Sequence, residues 1–141
     1  MTPPPRITLA DYFMGRDDDF PDELTEQIRV NAAVTVERVN QMLEVYAKAT
    51  GDARRRKVNS GWRPLAINMR VRGSAMRSKH LSGEACDLDD LDGSLDRWAG
   101  SKPGLDELAR IGLWLEHPDA TPTWCHVQTV PPGSGNRVFR P

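Results

Sequence analysis

Residues 22–49 carry the most regular hydrophobic pattern of the chain. Their apolar side chains recur every three to four positions, the spacing that gives an α-helix one buried face. The members of this stripe are Leu24, Ile28, Ala32, Val36, Val39, Met42, Leu43 and Tyr46. Pro21 stands where such a helix can start, and Gly51 stands where it should end. The pattern predicts an amphipathic helix of about seven turns that packs on a core.

The remaining patterns predict one α+β domain. The 141 residues suit a single domain that spans 1–141. Strand-like segments at 58–64, 84–90 and 123–130, and a second helical pattern from Leu105 to Leu115, follow one another without regular βαβ alternation. This order favours an α+β fold with a small antiparallel sheet flanked by helices.

The ends and the basic segments are expected to be irregular. Residues 1–20 are rich in proline and then acidic, and we expect an extended N-terminal arm with a short helical turn. Residues 131–141 are expected to form a C-terminal tail with a short pairing around 137–139. The segment GDARRRK, 51–57, predicts a solvated turn rather than a phosphate contact, and 66–79 is irregular and basic.

Charge and hydropathy argue against two classes of partner. The 19 Lys and Arg residues nearly balance the 20 Asp and Glu residues, so the net charge is −1. We therefore expect no general nucleic-acid binding. No apolar run approaches membrane-spanning length, so we expect a soluble protein without membrane insertion. MTPPPRITLADYF has no basic segment followed by an apolar one, which predicts synthesis in a cytoplasm without a secretory signal.

Two of the three histidines stand in segments that can form a metal site. Asp87 follows His80 by seven positions in SKHLSGEACD, and the intervening Leu-Ser-Gly permits a turn that brings both side chains to one point. His126 lies in the apolar strand-like segment TWCHVQTV, where a lone histidine is more often structural. Two imidazoles and one carboxylate nevertheless form a zinc set with the fourth position open to water. Zinc lowers the pKa of bound water to about 7 and polarises a carbonyl, as amide hydrolysis requires.

The segments SGWRP, SKHLSGEACD and WCH, in this order, resemble the zinc D-Ala-D-Ala carboxypeptidase family. That family also includes phage L-alanyl-D-glutamate endolysins, and its fold is shared with hedgehog signalling domains. The positions that match its motif are Ser78, His80, Gly83, Ala85, Asp87, Trp124 and His126. The long helical pattern and the ending SGNRVF are also similar to short phage-type members, so the resemblance spans most of the chain. It implies a hedgehog/DD-peptidase-like fold with zinc in a cleft on the sheet.

The resemblance also implies roles for individual residues. It implies that His80, Asp87 and His126 bind one Zn²⁺ ion. Arg63 in SGWRP resembles the family arginine that holds the substrate and stabilises charge at the reacting carbonyl, for which a permanently charged guanidinium is suited. Ser78 is expected to support His80 or the substrate through its hydroxyl. Gly83 is expected to let the backbone pass close to the metal. Apart from the resemblance, the four tryptophans are expected to be mostly core residues, with Trp124 and Trp62 as alternative candidates to line the cleft and Trp124 to contact the substrate.

The general base departs from the family pattern. Many relatives have a glutamate three residues before the last histidine ligand, and Thr123 stands at that position here. Glu116 is the nearest acidic candidate. His117 is an alternative, because its ordinary pKa of about 6.5 suits proton transfer. Glu84, another group, or zinc-bound water acting with little help are the further alternatives.

The function implied by the resemblance is hydrolysis of an amide bond in the peptide stem of bacterial peptidoglycan, with bonds to D-amino acids as targets. We expect a monomeric enzyme, made in the host cytoplasm if phage-encoded, that acts on the cell wall after release. One alternative is a non-catalytic, zinc-stabilised module that binds the cell wall or a partner. Another is a virion component for local wall penetration.

The other acidic and thiol groups near the motif are expected to be structural. Asp89, Asp90 and Asp92 do not fit the ligand spacing of an EF-hand, so a solvated acidic loop is favoured over a second cation site. Cys86 and Cys125 each precede a proposed ligand, and neighbours on a strand point to opposite faces. Both are therefore expected to be free thiols turned into the core rather than a disulfide.

Overall fold

A computed structural model describes residues 2–71 and 78–141, and the α+β prediction is confirmed. The helices are α1 Leu9–Phe13, α2 Arg16–Asp19, α3 Glu26–Thr50, α4 Leu65–Asn68, α5 Ser94–Ala99 and α6 Lys102–Ile111, with 3₁₀ turns at Pro21–Glu23 and Pro118–Ala120. The strands are β1 Val58–Ser60, β2 Ala85–Asp89, β3 Trp114–Glu116, β4 Trp124–Gln128 and β5 Val138–Phe139. The segment 66–79 was predicted to be irregular and basic, but its first residues belong to helix α4. Residues 72–77 lie outside the described residues.

The five strands form one mixed sheet in the order β1-β2-β4-β3-β5. Neighbouring strands are antiparallel except β3 and β5, which are parallel. The prediction of an antiparallel sheet is therefore wrong at one edge. After β4 the chain returns on the far side of β3 as β5, so β5 runs antiparallel to β4. Because β3 is also antiparallel to β4, β3 and β5 are parallel to each other.

The long helix α3 has well-defined ends. The Thr25 hydroxyl accepts a hydrogen bond from the backbone N–H of Ile28 at 3.2 Å, which satisfies one of the free donors of the first turn. The helix therefore starts at Glu26, later than the hydrophobic stripe suggested. Gly51 ends it in a left-handed conformation with φ of 80°, which confirms the predicted stop.

The core lies between the sheet and the three helices α3, α5 and α6. From the strands it receives the fully buried side chains of Cys86, Leu88, Leu115, Cys125 and Val127. Leu115 belongs to β3, because α6 already ends at Ile111. Both cysteines are free, as predicted. In the described ranges, no helix is both long and apolar enough to cross a membrane.

The N-terminal segment is part of this core rather than an extended arm. Tyr12 and Phe13 of α1 are buried, and the Tyr12 hydroxyl donates to the carbonyl of Ala85 at 2.7 Å. A Cβ atom on Gly61 would lie only 2.0 Å from the Tyr12 carbonyl oxygen. Glycine at 61 therefore permits α1 to pack directly against the turn that follows β1.

The basic loop and the acidic loop are joined by a buried ion-pair network. Arg56 pairs with Asp52 at 2.9 Å and with Asp90 at 3.2 Å. The Asp90 carboxylate also accepts the backbone N–H groups of Leu95 and Asp96 at the start of α5. The prediction of solvated loops is thus wrong for Arg56 and Asp90, which are 7% and 1% exposed.

Candidate metal centre

One row of side chains crosses the sheet on the face opposite the helices. The strand register places Ser60 beside Asp87 and Asp87 beside His126. The pairing of β3 with β4 then brings Glu116 next to His126, and Glu116 pairs with Phe139. Because alternate residues of a strand share a face, these five side chains lie on one side of the sheet.

His80, Asp87 and His126 converge at the centre of this row. Asp87 lies with one carboxylate oxygen 2.8 Å from Nδ1 of His126 and the other 3.3 Å from Nε2 of His80. One ligand atom from each residue lies within 4.8 Å of the other two, so the group can hold a metal ion. The sequence prediction that these residues come together is confirmed.

The charge state of the group follows from its burial and its partners. Burial alone would raise the pKa of Asp87, but hydrogen bonds from His126 and His80 hold the pKa well below its usual range. Burial lowers the pKa of His80. Burial would also lower the pKa of His126. The carboxylates of Asp87 and Glu116 outweigh burial, so the pKa of the His126 imidazole is raised.

Hydrogen bonds on the outer side of each imidazole determine which nitrogen faces the centre. His80 Nδ1 lies 2.9 Å from the Gly61 carbonyl, which can only accept a hydrogen bond, so Nε2 is the nitrogen that faces Asp87. His126 Nε2 donates to Oε1 of Gln128 at 3.2 Å, which leaves Nδ1 towards Asp87. The amide of Gln128 is itself oriented, because its nitrogen donates to the Val130 carbonyl at 3.0 Å.

The turn that carries His80 is held from two sides. The Ser78 hydroxyl accepts the backbone N–H of His80 at 3.3 Å, which is the supporting contact expected of this residue. On the other side, the Thr35 hydroxyl of α3 donates to the Gly83 carbonyl at 2.7 Å. Gly83 has φ of 76°, and a Cβ atom there would lie 3.1 Å from the Ile28 carbonyl oxygen. Its close approach is therefore to α3, not to the metal position as expected.

Arg63 lies beside the row at the β1 edge. Its guanidinium donates to Asn68 Oδ1 at 3.0 Å and to the Ser60 hydroxyl at 3.3 Å. Its backbone N–H donates to the His80 carbonyl at 2.9 Å, which ties the SGWRP turn to the ligand turn. The guanidinium is buried, and its Nε has no hydrogen-bond partner within the described part of the chain. Burial lowers its pKa, while the nearby Asp87 acts in the opposite direction.

Of the candidate bases, Glu116 has the position nearest to the ligands. Its Oε2 lies 3.6 Å from His126 Nδ1, and burial raises its pKa. The His117 ring instead accepts the Asp119 backbone N–H at 3.1 Å and lies 3.3 Å from the Arg140 guanidinium. The Glu84 carboxylate accepts a hydrogen bond from the Ser82 hydroxyl at 2.6 Å.

The two tryptophans of the motif segments have different positions. Trp124 precedes His126 by two residues on β4, so it shares the site face, and it is half-buried. Trp62 is 1% exposed and packs edge-on against Phe13 with ring centroids 6.1 Å apart. Trp62 is therefore a core residue and does not line the cleft.

The acidic loop does not form a second metal site. His80, Asp87 and His126 are the only metal-capable group in the ranges 2–71 and 78–141. Asp90 is bound to Arg56, and Asp92 is bound to Arg54 at 3.1 Å. The guanidinium groups thus occupy the position beside Asp90 and Asp92 that a second cation would need.

Several residues that shape the site were missed by sequence reasoning. Gln128 could have been found, because it follows His126 by two positions on a strand and must share its face. The Gly61 carbonyl and the Asn68 amide carry no such signal, since Gly61 lies in a turn and Asn68 ends the short helix α4. Arg16 is also close to this turn, as its guanidinium donates to the Trp62 carbonyl at 2.9 Å.

Comparisons of the chain with protein-family models, with curated proteins and with solved structures found no match. The interpretation of the site therefore depends on its own geometry and on the resemblance of its motifs.

Proposed function

We propose that the chain is a zinc metallopeptidase that hydrolyses an amide bond in the peptide stem of bacterial peptidoglycan. The observation that carries this proposal is the convergence of His80, Asp87 and His126 on the sheet face opposite the helices. Arg63 on one side and Glu116 on the other supply the two further charges that amide hydrolysis uses. The motif resemblance supports the choice of substrate.

The donor set fits a catalytic zinc ion. Catalytic zinc sites have three protein ligands and one open position, whereas structural sites have four protein ligands. Cys86 and Cys125 are buried on the opposite face, so no thiolate completes the set. Two ligand atoms about 2.0–2.1 Å from a tetrahedral zinc lie roughly 3.4 Å apart. The 3.3 Å between His80 Nε2 and Asp87 Oδ2 agrees with this spacing. The 2.8 Å between His126 Nδ1 and Asp87 Oδ1 is shorter, so these two groups would have to separate slightly around a bound ion.

Each flanking residue has a distinct part in the proposed reaction. A zinc ion held by this set supplies a water molecule of lowered pKa and polarises a carbonyl. The Arg63 guanidinium is held by Asn68 and Ser60 near Asp87, and its fixed positive charge would stabilise negative charge on the carbonyl oxygen. Glu116 is placed to take a proton from the attacking water and to deliver it to the leaving amine.

A digestion experiment tests this proposal. Zinc-loaded protein is incubated with purified peptidoglycan over a range of pH, and the muropeptides are analysed by mass spectrometry. We expect new stem-peptide termini that are absent when a chelator is added. Absence of cleavage at every pH, with one zinc bound per chain, would contradict the proposal.

Replacement of the base gives a sharper test. Glu116→Gln is expected to lower the cleavage rate by about 10²–10⁴-fold, the usual contribution of general acid–base catalysis, while zinc content is unchanged. Glu107→Gln on the outer surface of α6 is the matched control and should cleave at the wild-type rate. An unchanged rate in Glu116→Gln would exclude this residue as the base.

One observation favours a second candidate function. Thr123 stands where many members of the resembled family have their glutamate, which is expected of a non-catalytic module that binds the wall or a partner. Stable, zinc-dependent binding to peptidoglycan without any cleavage in the same experiment would identify that module.

A further inference from the structure

The last strand of the sheet places an aromatic ring beside the metal ligands. Phe139 of β5 is the register partner of Glu116, so its side chain lies on the site face. Its ring meets the His126 imidazole edge to face, with ring centroids 6.1 Å apart and an interplanar angle of 81°. Phe139 is half-buried, so this contact leaves part of the residue exposed to solvent.

Contacts on both sides of Phe139 fix the position of β5. The backbone N–H of His117 donates to the Phe139 carbonyl at 2.7 Å. Two residues earlier in the strand, the Arg137 guanidinium lies over the Trp114 ring, 4.3 Å from its centroid. Val138 turns to the other face and packs against the core. The Phe139 ring is therefore a preformed surface next to the metal position.

This ring is the one apolar member of the row of side chains that crosses the sheet. The other four carry hydrogen-bonding or ionisable groups: Ser60, Asp87, His126 and Glu116. An aromatic ring that stays partly exposed gains free energy when an apolar group covers it. A ligand bound at the metal position lies beside the ring and can supply such a group.

The strand register indicates which part of a substrate lies against the ring. Glu116 is placed to deliver a proton to the leaving amine, and Phe139 is its direct neighbour on β5. The substrate residue on the amine side of the reacting amide therefore passes Phe139. The residue on the carbonyl side lies towards Arg63 at the β1 edge.

We propose that Phe139 is a specificity-determining residue whose ring forms an apolar subsite for the side chain on the amine side of the scissile amide. This inference depends on the proposed peptidase function, and it names the kind of residue that the same site selects. The subsite favours an apolar side chain over a charged side chain of similar length, because the ring offers no partner for a charge.

Equilibrium binding of two hydroxamic acids tests the subsite. The probes are acetohydroxamic acid and 4-methylpentanohydroxamic acid, which share a zinc-binding group and differ in an apolar substituent. Binding to zinc-loaded protein is measured by NMR titration, and nuclear Overhauser effects between the probe methyl groups and the Phe139 ring are recorded. We expect the branched probe to bind more tightly and to show these effects.

Removal of the ring should abolish most of this preference. Phe139→Ala is expected to weaken binding of the branched probe by about tenfold, since each buried methylene contributes roughly fourfold to affinity. Binding of acetohydroxamic acid should be unchanged. Phe139→Leu keeps an apolar side chain and should retain part of the preference. Val138→Ala is the matched control, because it truncates the neighbouring residue on the core side of the same strand.

The outcomes separate this inference from the proposed function. Full preference for the branched probe in Phe139→Ala, or failure of both probes to bind to the parent protein, would overturn the subsite. Equal loss of preference in Val138→Ala would also overturn it. These results are independent of cleavage, because they are equilibrium affinities. If peptidoglycan is not cleaved but the Phe139-dependent preference is present, the subsite is supported and the hydrolytic proposal fails.

Discussion

The side chain of Gln128 provides a demanding test of the metal centre. Its amide oxygen accepts the Nε2–H of His126 at 3.2 Å, and its amide nitrogen is fixed by the Val130 carbonyl at 3.0 Å. The contact holds the His126 ring in the orientation that presents Nδ1 to Asp87. Groups that orient a metal-binding histidine in this way typically contribute 10–100-fold to metal affinity.

Replacement of Gln128 by Leu leaves the buried Nε2–H of His126 without a partner. An unsatisfied buried donor costs about 1–3 kcal/mol, so we expect zinc affinity to fall by roughly 10–100-fold. Gln128→Glu keeps an acceptor and adds negative charge, so its zinc affinity should equal or exceed that of the wild type. Affinity is measured by competition with a chromophoric chelator. The protonated ring nitrogen of His126 is identified by ¹⁵N NMR.

The control is a buried amide far from the metal position. Asn40 bonds to both backbone groups of Ile7, and Asn40→Leu should lower the free energy of unfolding without altering zinc affinity. Wild-type zinc affinity in Gln128→Leu, or a His126 ring that binds zinc through Nε2, would refute the proposed orientation.

Two further predictions concern charged groups in the core. Burial raises the pKa of Asp96 to about 6, so the native state retains a proton that the unfolded state, with a pKa of about 3.9, loses. This contribution to stability is present at low pH and is lost as the pH rises through 6. Asp96→Asn should thus raise the free energy of unfolding by about 2 kcal/mol at pH 8 and little at pH 4 in urea titrations; an equal effect at both values would contradict it. Arg56→Met leaves the Asp90 carboxylate buried without its cation, and should lower the free energy of unfolding by about 3 kcal/mol. Arg54→Met, at an exposed pair, should lower the free energy of unfolding much less than Arg56→Met; similar losses for both would contradict the burial argument.

The sequence was sufficient to predict the parts of the fold that have local signals. The stripe of α3 and the Gly51 stop depend on helical periodicity and on one glycine, and both were predicted. The ligand set was predictable because the turn between His80 and Asp87 is short and its residues are characteristic. His126 was identified through its neighbours in WCH, not through periodicity.

The remaining features depend on contacts that are distant in sequence. β3 has three residues, and its apolar Leu115 continued the helical pattern of α6, so the strand was missed. Arg56 and Asp90 are charged residues in polar segments, and only their mutual pairing permits burial. Arg16 comes near the site because α1 packs on Gly61, a contact that joins residues far apart in the chain.

The central claim is that His80, Asp87 and His126 hold one divalent metal ion. It is tested most directly by the zinc content of purified, zinc-saturated protein, determined by elemental mass spectrometry after exhaustive dialysis. The wild type and His117→Ala, which removes the histidine that follows β3, are each expected to retain one zinc per chain. His126→Ala is expected to retain none. Stoichiometric zinc in His126→Ala would remove His126 from the site and contradict the account.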